Sequence, residues 1–184
     1  MLLEGRKISK RFGGVQALSE VDFHVEAGSI TALIGPNGAG KTTLFNIVAG
    51  AIKPSSGQTV FEGREITNLP SHLIARAGIT RAFQISNIFP KLKVIENIRS
   101  AVQAQMGRAF DFFSRADRVG MEETEKILAL CGLGEKREVM AGELSQGDKK
   151  KLELALALAG KPRLLLLDEP TAGMSLEGPR ETMS

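Results

Sequence analysis

The chain has 184 residues, 42% of them apolar, enough for one domain with a sizeable core and too many for a disordered chain. Lys and Arg total 24 against 21 acidic residues, so a formal net charge of +3 gives no case for nucleic acid from charge alone. A single cysteine, Cys131, allows no internal disulfide; in its apolar helical stretch it reads as a small buried hydrophobe and not as a nucleophile.

The first sixty or so residues read as short strands joined by turns. Val21–Val25 alternates, and Glu26-Ala27-Gly28 turns the chain. Ile30–Ile34 is a short apolar run and reads as a buried strand. Gly35–Gly40 is a loop, and Lys41–Ala49 is a helix stopped by Gly50. Thr59–Glu62 is a further strand before a Gly63 turn. Ser71–Ala77 reads as a helix and Ile79–Phe83 as a strand. From Val94 to Cys131 the pattern is mostly helical, with Ile127, Leu128, Leu130 and Cys131 as an apolar stripe behind Glu122, Glu123 and Glu125, and Gly132 as the stop. Ser145 opens a helix that runs to Ala159. Leu164–Leu167 is a buried strand ending in Asp168-Glu169-Pro170. Together these describe an α/β domain with a helical insertion and a small additional antiparallel sheet. No window approaches the length of a membrane-spanning helix, and Met1-Leu2-Leu3-Glu4 does not open like a signal peptide. A cytoplasmic location is expected, with membrane association only through a partner.

Gly35-Pro36-Asn37-Gly38-Ala39-Gly40-Lys41-Thr42 fits G-x-x-x-x-G-K-[ST] at every required position. Glycines let backbone N–H groups approach phosphate oxygens, and the helix that follows presents its positive end to them. Lys41 would reach the β- and γ-phosphates of ATP, the Thr42 hydroxyl would ligate Mg2+, and Thr43 is placed for another phosphate oxygen. The plain alternative is a Gly-rich turn before an ordinary helix. The strand Leu164–Leu167 is the natural partner of this loop, because ligands bind beyond the C-terminal ends of strands in open α/β sheets. Asp168 would hold the Mg2+, directly or through water, and Glu169 would act as general base on the attacking water. On its own, such an acidic pair also ends strands as a solvated turn.

Between these motifs, Leu144-Ser145-Gln146-Gly147-Asp148 resembles L-S-G-G-Q, the signature of the ATP-binding cassette (ABC) ATPases, at three of five positions. The resemblance covers the whole chain and implies a P-loop NTPase fold with a RecA-like core sheet, an N-terminal antiparallel β subdomain and a helical subdomain over about 94–145. It implies that Ser145 and Gly147 reach the nucleotide of an opposite subunit in a head-to-tail dimer with two composite ATP sites. Ser145-x-x-Asp148 is also a capping-box pattern, and the two readings are compatible. Lys149, Lys150 and Lys151 read as a solvated face. Gln84 matches the family's Q-loop glutamine, which touches Mg2+ and the attacking water. Phe12 matches the aromatic that stacks on adenine; its alternative is a core phenylalanine.

Phe12-Gly13-Gly14, Phe83-Gln84 leading to Phe89-Pro90, and Thr171-Ala172-Gly173-Met174 resemble the ATPases of importers for branched-chain amino acids or for urea and short amides. That group implies transmembrane permease subunits, a second ATPase subunit of like or unlike kind, and indirectly a periplasmic substrate-binding protein. It places the chain peripherally on the inner face of the membrane, with no nucleic acid partner. A soluble ABC ATPase acting on DNA or ribosomes is the rival; it usually carries tandem cassettes, coiled coils or basic arms. Gln146 and Asp148 depart from the signature, and Ser175 stands where many cassettes have an aspartate. The family also has a histidine about thirty residues beyond the acidic pair, whereas the only histidines here are His24 and His72. The resemblance therefore implies a cassette incomplete at its C-terminus, lacking a strand of the core sheet and expected to turn over ATP poorly alone.

Overall fold

The computed structural model describes residues 1–82, 88–106 and 120–167. Its contacts divide the chain into two units, Met1–Thr80 and Arg81–Ser184.

In the first unit, β1 (Leu3–Phe12) and β2 (Val15–Val25) form an antiparallel hairpin closed by Gly13-Gly14, with Gly13 in the left-handed region at φ 54°. β3 (Ser56–Phe61) pairs antiparallel with the other edge of β1, and β4 (Arg64–Glu65) with β3, giving the order β2-β1-β3-β4. Gly5 pairs with Phe23, and a Cβ at Gly5 would lie 2.0 Å from the Phe23 ring, so the ring lies directly on the strand. α1 (Lys41–Val48) places Leu44, Ile47 and Val48 on its buried face at helical spacing. Leu44 and Ile47 close on Ile8 and Leu18 to make the unit's core, against half-buried Val21, Phe23 and Ile52. Each such side chain contributes about 1.5–3 kcal/mol by burial. α2 (Ser71–Arg76) buries Ile74. The antiparallel subdomain and the helix starting at Lys41 are as expected.

The expected strand Ile30–Ile34 does not form. Residues 29–36 carry no regular structure, and Ile30 and Ile34 are exposed at 102% and 90%. An apolar run becomes a strand only where neighbours take its backbone N–H and C=O groups. Among the described residues, neither sheet contains a strand paired with it.

In the second unit, α3 (Val94–Gln105), α4 (Met121–Leu130) and α5 (Gln146–Ala159) share one core. Val94, Ile98 and Val102 recur every four residues on α3 and meet Ile127 and Leu128 of α4 and Leu152 and Ala155 of α5. Gly120 caps the start of α4 at φ 74°, and a Cβ there would lie 2.7 Å from Val102 Cγ1. The expected apolar stripe of α4 needs one correction: Leu130 is 74% exposed, while Thr124 is fully buried. At about 100° per residue, Ile127, Leu128, Cys131 and Thr124 share one face and Leu130 falls beside it. Thr124 satisfies its hydroxyl by donating to the Gly120 carbonyl at 2.8 Å. β5 (Ile79–Ala82), whose last two residues open this unit, pairs with β6 (Leu164–Leu167). β6 is less buried than its four leucines suggest: Leu166 is buried and the other three are half-buried. With only β5 beside it among the described strands, the strand is not enclosed as the centre of a wider sheet would be.

Candidate functional site

The phosphate-loop residues lie in the first unit. Gly38 (φ 84°) and Gly40 (φ 87°) both adopt the left-handed region, which an L side chain takes only with strain. Gly40 is the N-cap of α1, no side chain caps it, and the first turn holds no acidic residue. The first N–H groups of α1 therefore retain the positive end of the helix at the loop, an arrangement that favours an anion. The first helical bond runs from the Leu44 N–H to the Gly40 carbonyl at 2.9 Å.

Lys41 folds back over the loop. Its Nζ donates to the carbonyls of Gly35 at 2.7 Å and Pro36 at 2.8 Å. The Ala39 N–H donates to the Pro36 carbonyl at 3.2 Å, which tightens the turn through Asn37 and Gly38. Asn37, Gly38, Ala39 and Thr42 are exposed, and Gly35, Lys41 and Thr43 are half-buried. A hard oxygen donor such as the exposed Thr42 hydroxyl fits Mg2+, whose remaining ligands are ordinarily carboxylates, phosphate oxygens and water. Among the described residues no group of three or more His, Cys, Asp or Glu forms a metal cluster. The residues expected to complete the metal and catalytic set, Gln84, Asp168 and Glu169, lie outside the described residues, as do Thr171–Met174 and Ser175.

Phe12, the candidate adenine platform, ends β1 and is 49% exposed, so it is not a core phenylalanine. Sequence reading did not reveal what holds the loop against this hairpin. A Cβ at Gly40 would lie 2.6 Å from the Ala17 carbonyl oxygen and 2.7 Å from Leu18 Cδ2. Gly40 thus sits directly on β2, a contact between residues more than twenty positions apart that no local pattern announces.

The signature residues lie in the second unit. Ser145 is the N-cap of α5: its Oγ accepts from the Asp148 N–H at 3.1 Å and donates to Asp148 Oδ2 at 2.6 Å. Ser145 therefore caps its helix as the pattern suggests, while Asp148 returns to the Ser145 hydroxyl and does not complete a reciprocal box on the backbone. Ser145 is exposed, and a Cβ at Gly147 would have only Ser145 Oγ near it, at 4.0 Å. Asp148 is buried, and its Oδ2 also takes Lys136 Nζ while Oδ1 takes Lys151 Nζ at 3.4 Å. The Lys136 and Ser145 hydrogen bonds push the Asp148 pKa down to about 2. Lys136 is the residue that sequence reading missed, because a separation of twelve positions hides the pairing. Lys149, Lys150 and Lys151 are half-buried, so the face read as solvated is only partly so, and Lys151 serves Asp148.

A family model described as ABC transporter matches residues 18–172. The high-affinity branched-chain amino acid transport ATP-binding protein BraF of Pseudomonas aeruginosa is 37% identical, over 98% of this chain and 72% of that protein. The probable branched-chain amino acid transport ATP-binding protein LivG of Archaeoglobus fulgidus is 40% identical, over 95% of this chain and 69% of that protein. Among solved structures, the ADP conformation of MJ1267, an ATP-binding cassette of an ABC transporter, matches with a TM-score of 0.78 at 31% identity, over 95% of this chain and 70% of that one.

Proposed function

The chain belongs to the ABC transporter family, and from that premise we propose that it is the ATP-binding and ATP-hydrolysing subunit of an importer of branched-chain amino acids. One observation carries the nucleotide reading: the loop Gly35–Gly40 opens onto an uncapped helix start, with Lys41 held across it. The relatives' names support transport coupling and the amino-acid class.

In this reading the amides and Lys41 hold the β- and γ-phosphates, Thr43 takes a further phosphate oxygen, and Phe12 stacks on the base. Thr42, Asp168 and Gln84 would hold Mg2+, which neutralises charge on the phosphates when bound. Glu169 draws the proton from the attacking water, with Gln84 orienting that water; ADP and phosphate are the products. Positioning and charge stabilisation supply most of the rate. Ser145 and Gly147 serve the nucleotide of a second ATPase subunit, and the pair drives permease subunits supplied by a substrate-binding protein. A helical subdomain over about 94–145 carries the signature to that second subunit. Among the described residues no helix is long and apolar enough to cross a membrane, and we place the chain peripherally on the inner face through its permease.

The test is phosphate release by the purified chain, alone and with its permease, for wild type, Lys41→Ala and Glu169→Gln. Lys41→Ala should lose binding and turnover together. Glu169→Gln should keep Mg-ATP affinity and lose about 100-fold or more in turnover. Turnover indifferent to both substitutions contradicts the reading.

A further inference from the structure

We propose that Lys10 is a positioning residue for the nucleobase: anchored on the Lys53 carbonyl, it covers one face of the Phe12 ring and leaves the other for a purine. The inference rests on the reading above, in which Phe12 carries the base.

Lys10 Nζ donates to the Lys53 carbonyl oxygen at 2.7 Å and lies 5.0 Å from the centroid of the Phe12 ring. That distance is within the range at which an ammonium is attracted to an aromatic face. The acceptor is a backbone atom in the turn that leads to β3, and the same turn is tied to β1 twice more. The Ser55 N–H donates to the Ser9 carbonyl at 2.8 Å, and the Arg11 N–H donates to Ser55 Oγ at 3.1 Å. A half-buried lysine held on a backbone acceptor gives up rotamer freedom, and its ammonium restrains the ring it faces.

The hairpin places this pair beside the phosphate loop. Lys10 pairs in register with Leu18, whose side chain abuts Gly40. Phe12 lies two residues further along β1, about 7 Å beyond Lys10. At that place Phe12 is 49% exposed, and with the ammonium over one face the proposal assigns the other face to the base. Ordering the ring before the ligand arrives reduces what binding must spend on ordering it.

The test uses the full chain and two probes, Mg-ATP and magnesium tripolyphosphate, which shares the phosphates and lacks the base. Dissociation constants would be measured for wild type, Lys10→Met, Lys10→Arg, Phe12→Leu, the Lys10→Met/Phe12→Leu double variant and Lys41→Ala. Lys10→Met should weaken Mg-ATP about two- to fivefold, the range for a cation–π contact at a partly exposed site, and leave tripolyphosphate unchanged. Lys10→Arg should restore most of the loss. In the Phe12→Leu background, Lys10→Met should have no further effect, which a merely structural role of Lys10 would not produce. The proposal is overturned if Lys10→Met leaves ATP affinity unchanged, weakens both probes equally, or still weakens ATP when Phe12 is leucine. If wild type and Lys41→Ala bind ATP alike, the nucleotide reading itself fails, and this inference with it.

Discussion

Asp148 occupies the place where the ABC signature has a glutamine, and its surroundings turn a short polar side chain into a structural charge. Its two oxygens receive the Lys136 and Lys151 ammonium groups and the Ser145 hydroxyl. The carboxyl pKa of about 2 lies below the value of about 3.9 expected unfolded. A depressed pKa means the contribution is fully present above about pH 4 and is lost as the pH falls toward 2; it is on the order of 2 kcal/mol. Asp148→Asn should therefore lower stability near neutral pH and flatten the loss of stability between about pH 4 and 2, as read by urea unfolding across that range. Lys136→Met should cost roughly 1–2 kcal/mol at pH 7, less than for a fully buried pair because Lys136 keeps access to water. Urea midpoints would check it. Ser145 as a helix cap was legible because Ser-x-x-Asp is local; Lys136 was not, because its pairing depends on how the turn at Gly134–Lys136 meets α5.

Elements hold the functional loops in place through a few buried contacts. Asn97 of α3 is fully buried and clasps the segment before its own helix. Its Nδ2 donates to the carbonyls of Phe89 at 3.1 Å, Leu92 at 3.3 Å and Lys93 at 3.0 Å, and its Oδ1 accepts from the Phe89 N–H at 2.8 Å. Asn97→Ala leaves the Phe89 N–H without its acceptor, while the three carbonyls keep the backbone N–H groups of Leu92, Ala141 and Asn97 as donors, and it should cost about 1–2 kcal/mol by denaturant unfolding. It should also speed amide exchange at Phe89. Gly40→Ala combines a left-handed φ with a clash against the Ala17 backbone, and should cost about 1–3 kcal/mol and weaken Mg-ATP binding, both measurable by calorimetry. Helices were the most legible elements: the pattern gave α1, α2 and α5 to within a residue, and α3 and α4 both fall in the single stretch Val94–Cys131 read as mostly helical. Ile30–Ile34 was misread because apolar character was taken for strand, when a strand also needs partners beside it. Leu130 was misread because composition was followed in place of helical angle.

At the scale of the whole molecule, the phosphate loop lies in the unit Met1–Thr80 and the capped signature helix in the unit Arg81–Ser184. The α/β class and the family were legible because both are compact motifs whose chemistry dictates their residues. The hairpin's grip on Gly40 was not, since it depends on antiparallel register across β1 and β2, and the placement of Lys10 over Phe12 was not, since it depends on the distant Lys53 carbonyl that holds the lysine. Every role assigned to this chain depends on Mg-ATP binding through the loop from Gly35 to Thr43. Thermal unfolding with and without Mg-ATP, for wild type and Lys41→Ala, tests it most directly, because a ligand that binds only the folded state must raise the midpoint. Wild type should shift by the equivalent of about 2.7 kcal/mol at a hundredfold excess over Kd, and Lys41→Ala little or not at all. No shift in wild type, or an equal shift in both, would contradict it.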